Sequence, residues 1–311
     1  MSEKILAMDI GGTSIKLAIV EEDQIIKFTS YKNIWKSKQD QMLMDLKGIL
    51  TRWIQEYQIT KIGIGCPGDI KDNVVVFAAN LNWKDFHLVD QLHEIFPNLS
   101  IKIANDGQAA TLAEMNYGLL KGVENGIFIV FGRGVGGSLI LNHHIYQGSN
   151  QRGGNFGHMV IKGPKARKCN CGRKGCFETY ASVAGLIQTI KETNYRSGQN
   201  TPLGKLGGLR ISELAHNQNP IILKAIKQWN KDIAESILSL TLIIDPSHIV
   251  LAGGITESGL IDLDEIKNKL SEQSFDHVVV EISKFRGKAG VVGAASLHKE
   301  NTFFNPCPHV S

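Results

Sequence analysis

DIGGTSIK, residues 9–16, joins two runs of strand-forming sequence through a pair of glycines. Lys4–Asp9 is apolar and β-branched, and Ser14–Val20 alternates as its hairpin partner would. Backbone amides in a glycine turn can point at an anion without interference from a Cβ. Thr13 adds a hydroxyl donor beside Gly11 and Gly12, and Lys16 adds positive charge on a strand where it can also face solvent. Asp9 can hold magnesium through water, because that ion keeps several of its waters. An ordinary hairpin with a threonine in its turn explains the same residues equally well when they are read alone.

A second stretch shifts that balance. FGRGVGGS, residues 131–138, lies between Ile127–Phe131 and Ser138–Leu141, again a strand, a glycine turn and a strand. Gly132, Gly134 and Gly137 build the turn, and Arg133 sits among them. Gly253 and Gly254 follow the strand Ile249–Ala252 as a third point where backbone can approach closely. Two glycine hairpins, one per half, suit a nucleotide held between two lobes. The chain has neither a Walker loop nor a G-x-G-x-x-G opening a helix.

The remaining pattern alternates strands with helices, which sets the class as α/β. Gln39–Gln58 carries apolar residues at helical spacing from Met42 to Tyr57. Lys61–Gly65 reads as a short buried strand ending at Cys66-Pro67-Gly68, and Ile101–Ala104 as another. Gln108–Tyr117 is an alanine-rich helix. Pro220–Ile244 reads as a long helix whose stripe includes Leu223, Ile226, Ile233, Ile237, Leu240 and Ile244. Gly290–Lys299 reads as a closing helix, and Arg196–Leu209 as a surface excursion.

Asn105 and Asp106 stand where the strand Ile101–Ala104 meets the alanine-rich helix. A helix N-terminus favours an ionised carboxylate, and such a carboxylate can accept the proton of a substrate hydroxyl. Asn105 can both donate to and accept from a second hydroxyl. A plain N-cap is the competing reading, and it suffices for an isolated Asn-Asp pair.

The run GHMVIKGPKARKCNCGRKGCFE, residues 157–178, offers one imidazole and three thiols: His158, Cys169, Cys171 and Cys176. Zinc is tetrahedral and accepts this set, and with no open position the ion is structural. Gly172 and Gly175 let the loop fold back. Glu178 follows as an acceptor held by the loop. The cations of this run have no aromatic residues interleaved with them, which favours a solvated loop over a nucleic-acid surface.

Bulk composition agrees with a soluble, cytoplasmic chain. Its 311 residues suit two lobes, and charged residues make up 21%. The net charge of +4 does not by itself imply nucleic acid. The N-terminus lacks the layout of a signal peptide, and no apolar run approaches the roughly 20 residues of a membrane helix.

Taken together, these motifs resemble those of the ROK family of sugar kinases and sugar-responsive repressors, over nearly the whole chain. DIGGTSIK is similar to the family's first phosphate motif and FGRGVGGS to its second. NDGQAA is similar to its catalytic motif. GGNFGHM followed by CNCGRKGCFE is similar to its sugar-and-zinc signature, the most specific of the set. IVLAGGI and GVVGAASL match the late adenosine-side segment and the closing helix.

The resemblance implies an actin-like (ribonuclease H-like) fold with the site in a cleft between two α/β lobes. Residues 1–117 with 289–311 would form the smaller lobe, and 118–288 the larger lobe with the zinc loop. It implies an ATP:sugar phosphotransferase of glucokinase type, acting on the 6-hydroxyl of a hexose with glucose as the default. Asp106 would be the base, with Gly68, Asn105, Asn155, His158 and Glu178 around the sugar. Asp9, Gly11, Gly12, Thr13, Lys16, Gly132, Arg133, Gly134, Gly137, Gly253 and Gly254 would hold ATP with Mg²⁺. A structural Zn²⁺ would sit on His158, Cys169, Cys171 and Cys176.

A homodimer or homotetramer is implied, with no membrane partner. The phosphate motif begins at Asp9, which leaves no room for the repressors' helix-turn-helix, so no nucleic acid is expected. The chain departs from the family at three points. Asn155 stands where the family usually has glutamate, Arg133 where it has threonine, and Ser138 where it has glycine. These departures keep two alternatives in view: a kinase for an amino sugar such as N-acetylmannosamine or another hexose, and a non-catalytic sugar sensor.

Overall fold

A computed structural model describes residues 3–198 and 201–299. Cys307 lies outside the described residues. The chain forms two compact units. The first takes the chain up to Gly122, His143–Gly154 and the chain from Lys288 onward; the second takes Val123–Asn142 and Asn155–Gly287.

In the first unit the sheet runs Gln24–Lys32, Ser14–Glu21, Lys4–Ile10, Lys61–Cys66, Ser100–Asn105. The first three strands are antiparallel neighbours, and the last two join in parallel. Lys4–Ile10 lies in the middle and is buried on both faces, which explains its continuous apolar run. Leu6, Met8 and Ile10 pack with Met42, Leu46 and Trp53 of the helix Gln39–Tyr57. Ala7 and Ala18 pack instead with Val291, Ala294 and Ala295 of the closing helix Ala289–Ser296. Small residues on that side let elements approach to backbone distance. A Cβ at Gly63 would collide with the Ala294 carbonyl, so the sequence at this contact is fixed by lack of space. A three-stranded antiparallel sheet, Asp69–Lys71, Val74–Ala78 and Trp83–Phe86, completes the unit.

The second unit repeats the mixed pattern. Val135–Leu141 pairs antiparallel with Gly126–Phe131, and His248–Ala252 and Val279–Ile282 follow in parallel. The helix Pro220–Ile244 has the bounds its periodicity predicts. Asn219 caps it through the amides of Ile221 and Ile222, and Pro220 opens its first turn. Its buried side includes Ile222, Trp229, Ile233, Ile237 and Leu240. Leu223, which the sequence places in the stripe, is instead 38% exposed, because Ile222 occupies the inward position beside it. Among the described residues, no helix is long and apolar enough to cross a membrane.

The sequence pattern does not announce several elements, among them the strand Gln24–Lys32 and the helices Leu88–Ile95, Val183–Arg196 and Leu263–Ser271. The excursion expected at Arg196–Leu209 begins as the helix Val183–Arg196 ends and runs into the helix Gly208–His216.

Candidate active site

In the first unit, the antiparallel register sets Asp9 opposite Lys16. Lys16 therefore does not face solvent alone: its Nζ lies 2.8 Å from Asp9 Oδ2. Asp9 is buried, and its carboxylate abuts Gly290 at the start of the closing helix, where a Cβ would strike it. A helix N-terminus there favours the negative charge. Gly290 is thus a neighbour of Asp9 that sequence reading missed; its signal is a glycine inside a helix that would gain from alanine. Asn33 was missed too. Its amide donates to the Gly11 carbonyl at 2.7 Å, and its backbone N–H donates to the Thr13 carbonyl at 2.8 Å, so it pins the first glycine turn.

The structure separates the roles of Asn105 and Asp106. Asn105 is the N-cap of the helix Asp106–Tyr117: its Oδ1 accepts from the Gly107 and Gln108 amides. Its Nδ2 donates to the Gly68 carbonyl at 3.0 Å, which ties the cap to the turn after Lys61–Cys66. Asp106 is thereby released from capping. Its Oδ1 accepts from the Gly107 amide at 2.9 Å. Burial first, and then the negative charge of Asp9, raise the Asp106 pKa to about 6 against the opposing pull of the Gly107 amide and Lys16. A carboxyl titrating there is close to the best position for a general base near neutrality. Cys66 beside it is buried, and burial together with Asp106 and Asp9 pushes its thiol well above the usual range, so it is inert as a nucleophile.

In the second unit, the glycine hairpin rests on an aromatic cluster. Phe131 makes edge contacts with Phe177 and Trp229, and the Trp229 indole donates to the Ala181 carbonyl at 2.9 Å. The Gly132 carbonyl accepts from the Val183 amide at 3.1 Å. Arg133 is exposed. Gly253 has φ 105°, and a Cβ there would meet the Phe131 backbone, whereas Gly254 has open space around it. Only the first of that pair is a close approach of backbone to backbone.

The loop between Val160 and Cys176 folds as a tight hairpin through the bridges Val160–Cys176 and Lys168–Lys174. Gly172 and Gly175 take positive φ there. The fold brings together ligand atoms of His158, Cys169, Cys171 and Cys176, all within 4.8 Å of one another. His158 Nδ1 is 3.6 Å from Cys169 Sγ, and Cys171 Sγ is 3.6 Å from Cys176 Sγ. Edges of about 3.5–3.8 Å are what a tetrahedron with metal–sulfur and metal–nitrogen bonds of ordinary length requires. Two of the edges have that length, and the donor set is one that a tetrahedral ion takes.

Glu178 opens the short helix Glu178–Ala181 next to this cluster. Its Oε1 lies 3.1 Å from Cys169 Sγ and 3.7 Å from His158 Nδ1. Its Oε2 faces Gly134, where any Cβ would strike it. Glu178 therefore links the cysteine loop to the glycine hairpin. Asn155 is exposed, precedes the turn Phe156–His158 and does not cap it with its side chain. The expected site residues thus fall into two sets. Asp9, Gly11, Gly12, Thr13, Lys16, Gly68, Asn105 and Asp106 lie in the first unit, and the others lie in the second.

Residues 5–301 match the ROK family. The chain is 28% identical to a glucokinase of Halalkalibacterium halodurans, over 95% of this chain and 94% of that one. It is 27% identical to the xylose repressor of Bacillus subtilis, over 88% of this chain and 70% of that one. Among solved structures, a ROK family glucokinase from Streptomyces griseus in complex with glucose and AMPPNP is similar at a TM-score of 0.80 and 25% identity. That match covers 94% of this chain and 98% of the other. The α/β arrangement described above is the actin-like fold of ROK sugar kinases. The chain belongs to the ROK family.

Proposed function

We propose that this chain is an ATP-dependent hexose kinase that phosphorylates a sugar 6-hydroxyl, with glucose as the first substrate to test. The observation that carries the reading is Asp106: a carboxyl freed from capping by Asn105 and titrating near 6. It orients the hydroxyl and takes its proton as the phosphoryl group transfers. In a loose transition state, orientation matters at least as much as basicity. Gly11, Gly12 and Thr13 in one unit, and Gly132, Gly134 and Gly137 in the other, cradle the ATP phosphates with backbone amides. Gly253 and Gly254 take the nucleoside end, and Arg133 adds a charged fork to the phosphates. Lys16 and Asp9 lie beside the first turn, where Asp9 would hold hydrated Mg²⁺, which neutralises phosphate charge when bound.

His158, Glu178, Asn155, Asn105 and Gly68 read the sugar. A Zn²⁺ on His158, Cys169, Cys171 and Cys176 would fix the orientation of His158 and, through its neighbours, of Glu178. Asn155 can donate as well as accept, whereas a glutamate only accepts. That favours testing amino sugars such as N-acetylmannosamine beside glucose.

A coupled assay across a sugar panel tests the proposal. The expected result is turnover with at least one hexose, lost in Asp106→Asn while sugar binding is largely kept. Sugar binding by calorimetry with no phosphoryl transfer to any sugar would instead make the chain a sensor.

A further inference from the structure

The helices Val183–Arg196 and Pro220–Ile244 and the cysteine loop line an open cavity of about 420 Å³ in the second unit. None of the site residues described above lines it. Six cations face two carboxylates there, an excess of four positive charges, equal to the formal net charge of the entire chain. This concave place is therefore strongly basic.

Two of the six cations are satisfied by the protein. Arg167 grips Glu192 with Nε at 3.1 Å and Nη2 at 2.8 Å. Its Nη1 donates to the carbonyls of Thr179 and Gly185, and Nη2 also to the Thr189 hydroxyl, so all five of its donors are used. Lys162 Nζ lies 2.7 Å from the buried Asp232. Both cations also cover the ring of Tyr180, Arg167 at 4.5 Å from its centre and Lys162 at 5.8 Å.

The other four, Arg196, Lys224, Lys227 and Lys231, are exposed. The three lysines recur on one face of the long helix, and among the described residues they have no ion pair. Like charges at that spacing repel one another, so the arrangement costs stability until an anion answers it. Ammonium groups suit phosphate oxygens, and the cavity is within the usual size range for a small ligand. A monoanion would leave most of the charge uncompensated.

We propose that this cavity binds a small anion carrying two or more phosphate groups. Its source is either a linear polyphosphate or a sugar bisphosphate. The inference does not rest on the kinase reading, because no residue is shared with that site.

The test is calorimetry on the full chain with inorganic tripolyphosphate and with a hexose bisphosphate as separate titrants. No nucleotide is present, because a triphosphate belongs to the proposed ligand class; the triple variant below, which leaves the glycine hairpins untouched, separates binding at the cavity from binding at the hairpins. At least one titrant should bind, and the tighter of the two names the source. The triple variant Lys224→Gln, Lys227→Gln, Lys231→Gln should bind more than about 100-fold more weakly, given three lost charge-assisted hydrogen bonds. Because all three side chains are exposed, its circular dichroism should match the parent's. The proposal is overturned by any of three results: neither titrant binds, the triple variant binds as the parent does, or citrate binds as tightly as the phosphates.

Discussion

At Asp106 two adjacent polar residues divide the work of a helix start. The sequence NDG admits capping by either the asparagine or the aspartate, and composition cannot choose between them. The backbone chooses: Asn105 takes the extended conformation of a cap, with φ −58° and ψ 142°, and Asp106 becomes the first helical residue. The raised pKa has a thermodynamic consequence. A folded-state pKa near 6 against an ordinary value of 3.8 means that the folded chain holds this proton more tightly than the unfolded one. Stability then falls as pH rises from about 4 to about 6, and the full cost remains above that. Asp106→Asn should therefore be more stable than the parent at pH 7, by up to about 3 kcal/mol, with the gain vanishing near pH 4. Denaturation at both pH values checks this; an equal gain at both would remove the electrostatic explanation. Ser138 gives a second prediction at this scale. Its hydroxyl is 1% exposed and has no hydrogen-bond partner. Ser138→Ala should stabilise the chain by about 1 kcal/mol, read as a rise in Tm.

The two glycine hairpins were legible as elements, because period-two apolar strands flanking a glycine turn have few other readings. Gly126–Phe131 and Lys4–Ile10 came out within one or two residues of expectation. The strand Gln24–Lys32 was not legible: it alternates exposed and half-buried residues along the sheet edge, so its apolar signal is diluted. The helix Leu263–Ser271 is short, charged and buries only Ile266 and Leu270. The gathering of His158, Cys169, Cys171 and Cys176 was legible from cysteine spacing. The contact of Glu178 with Gly134 was not, since it joins residues 44 apart and places the carboxylate where a Cβ at position 134 would displace it. That contact predicts a specific defect. Gly134→Ala should displace the Glu178 carboxylate and raise the sugar Kd roughly tenfold or more, the loss of about one charge-assisted hydrogen bond. Gly132→Ala, two residues away with open space at its Cβ, should leave sugar affinity unchanged. Equal sugar affinities for the two variants would sink the idea that Gly134 positions Glu178.

Each unit has its own hydrophobic core. Leu6, Met8, Trp53 and Trp83 belong to one, and Phe131, Phe177, Trp229 and Ile233 to the other. The candidate metal cluster lies wholly in the second unit, and Phe177, next to Cys176, is part of that unit's core. An ion held there would fix the loop, and its loss would loosen the packing around Phe131 and Trp229. The tryptophans allow the two units to be read separately, because Trp35, Trp53 and Trp83 lie in the first and Trp229 alone lies in the second. Removing the metal with a chelator should lower the transition reported by Trp229 by about 10 °C or more, since a structural ion contributes several kcal/mol to folding. In a Trp229→Phe variant the three remaining tryptophans report only the first unit, and their transition should stay within about 2 °C of its metal-loaded value. If both transitions fall together, the units unfold as one cooperative body, and the local account of the ion's role fails.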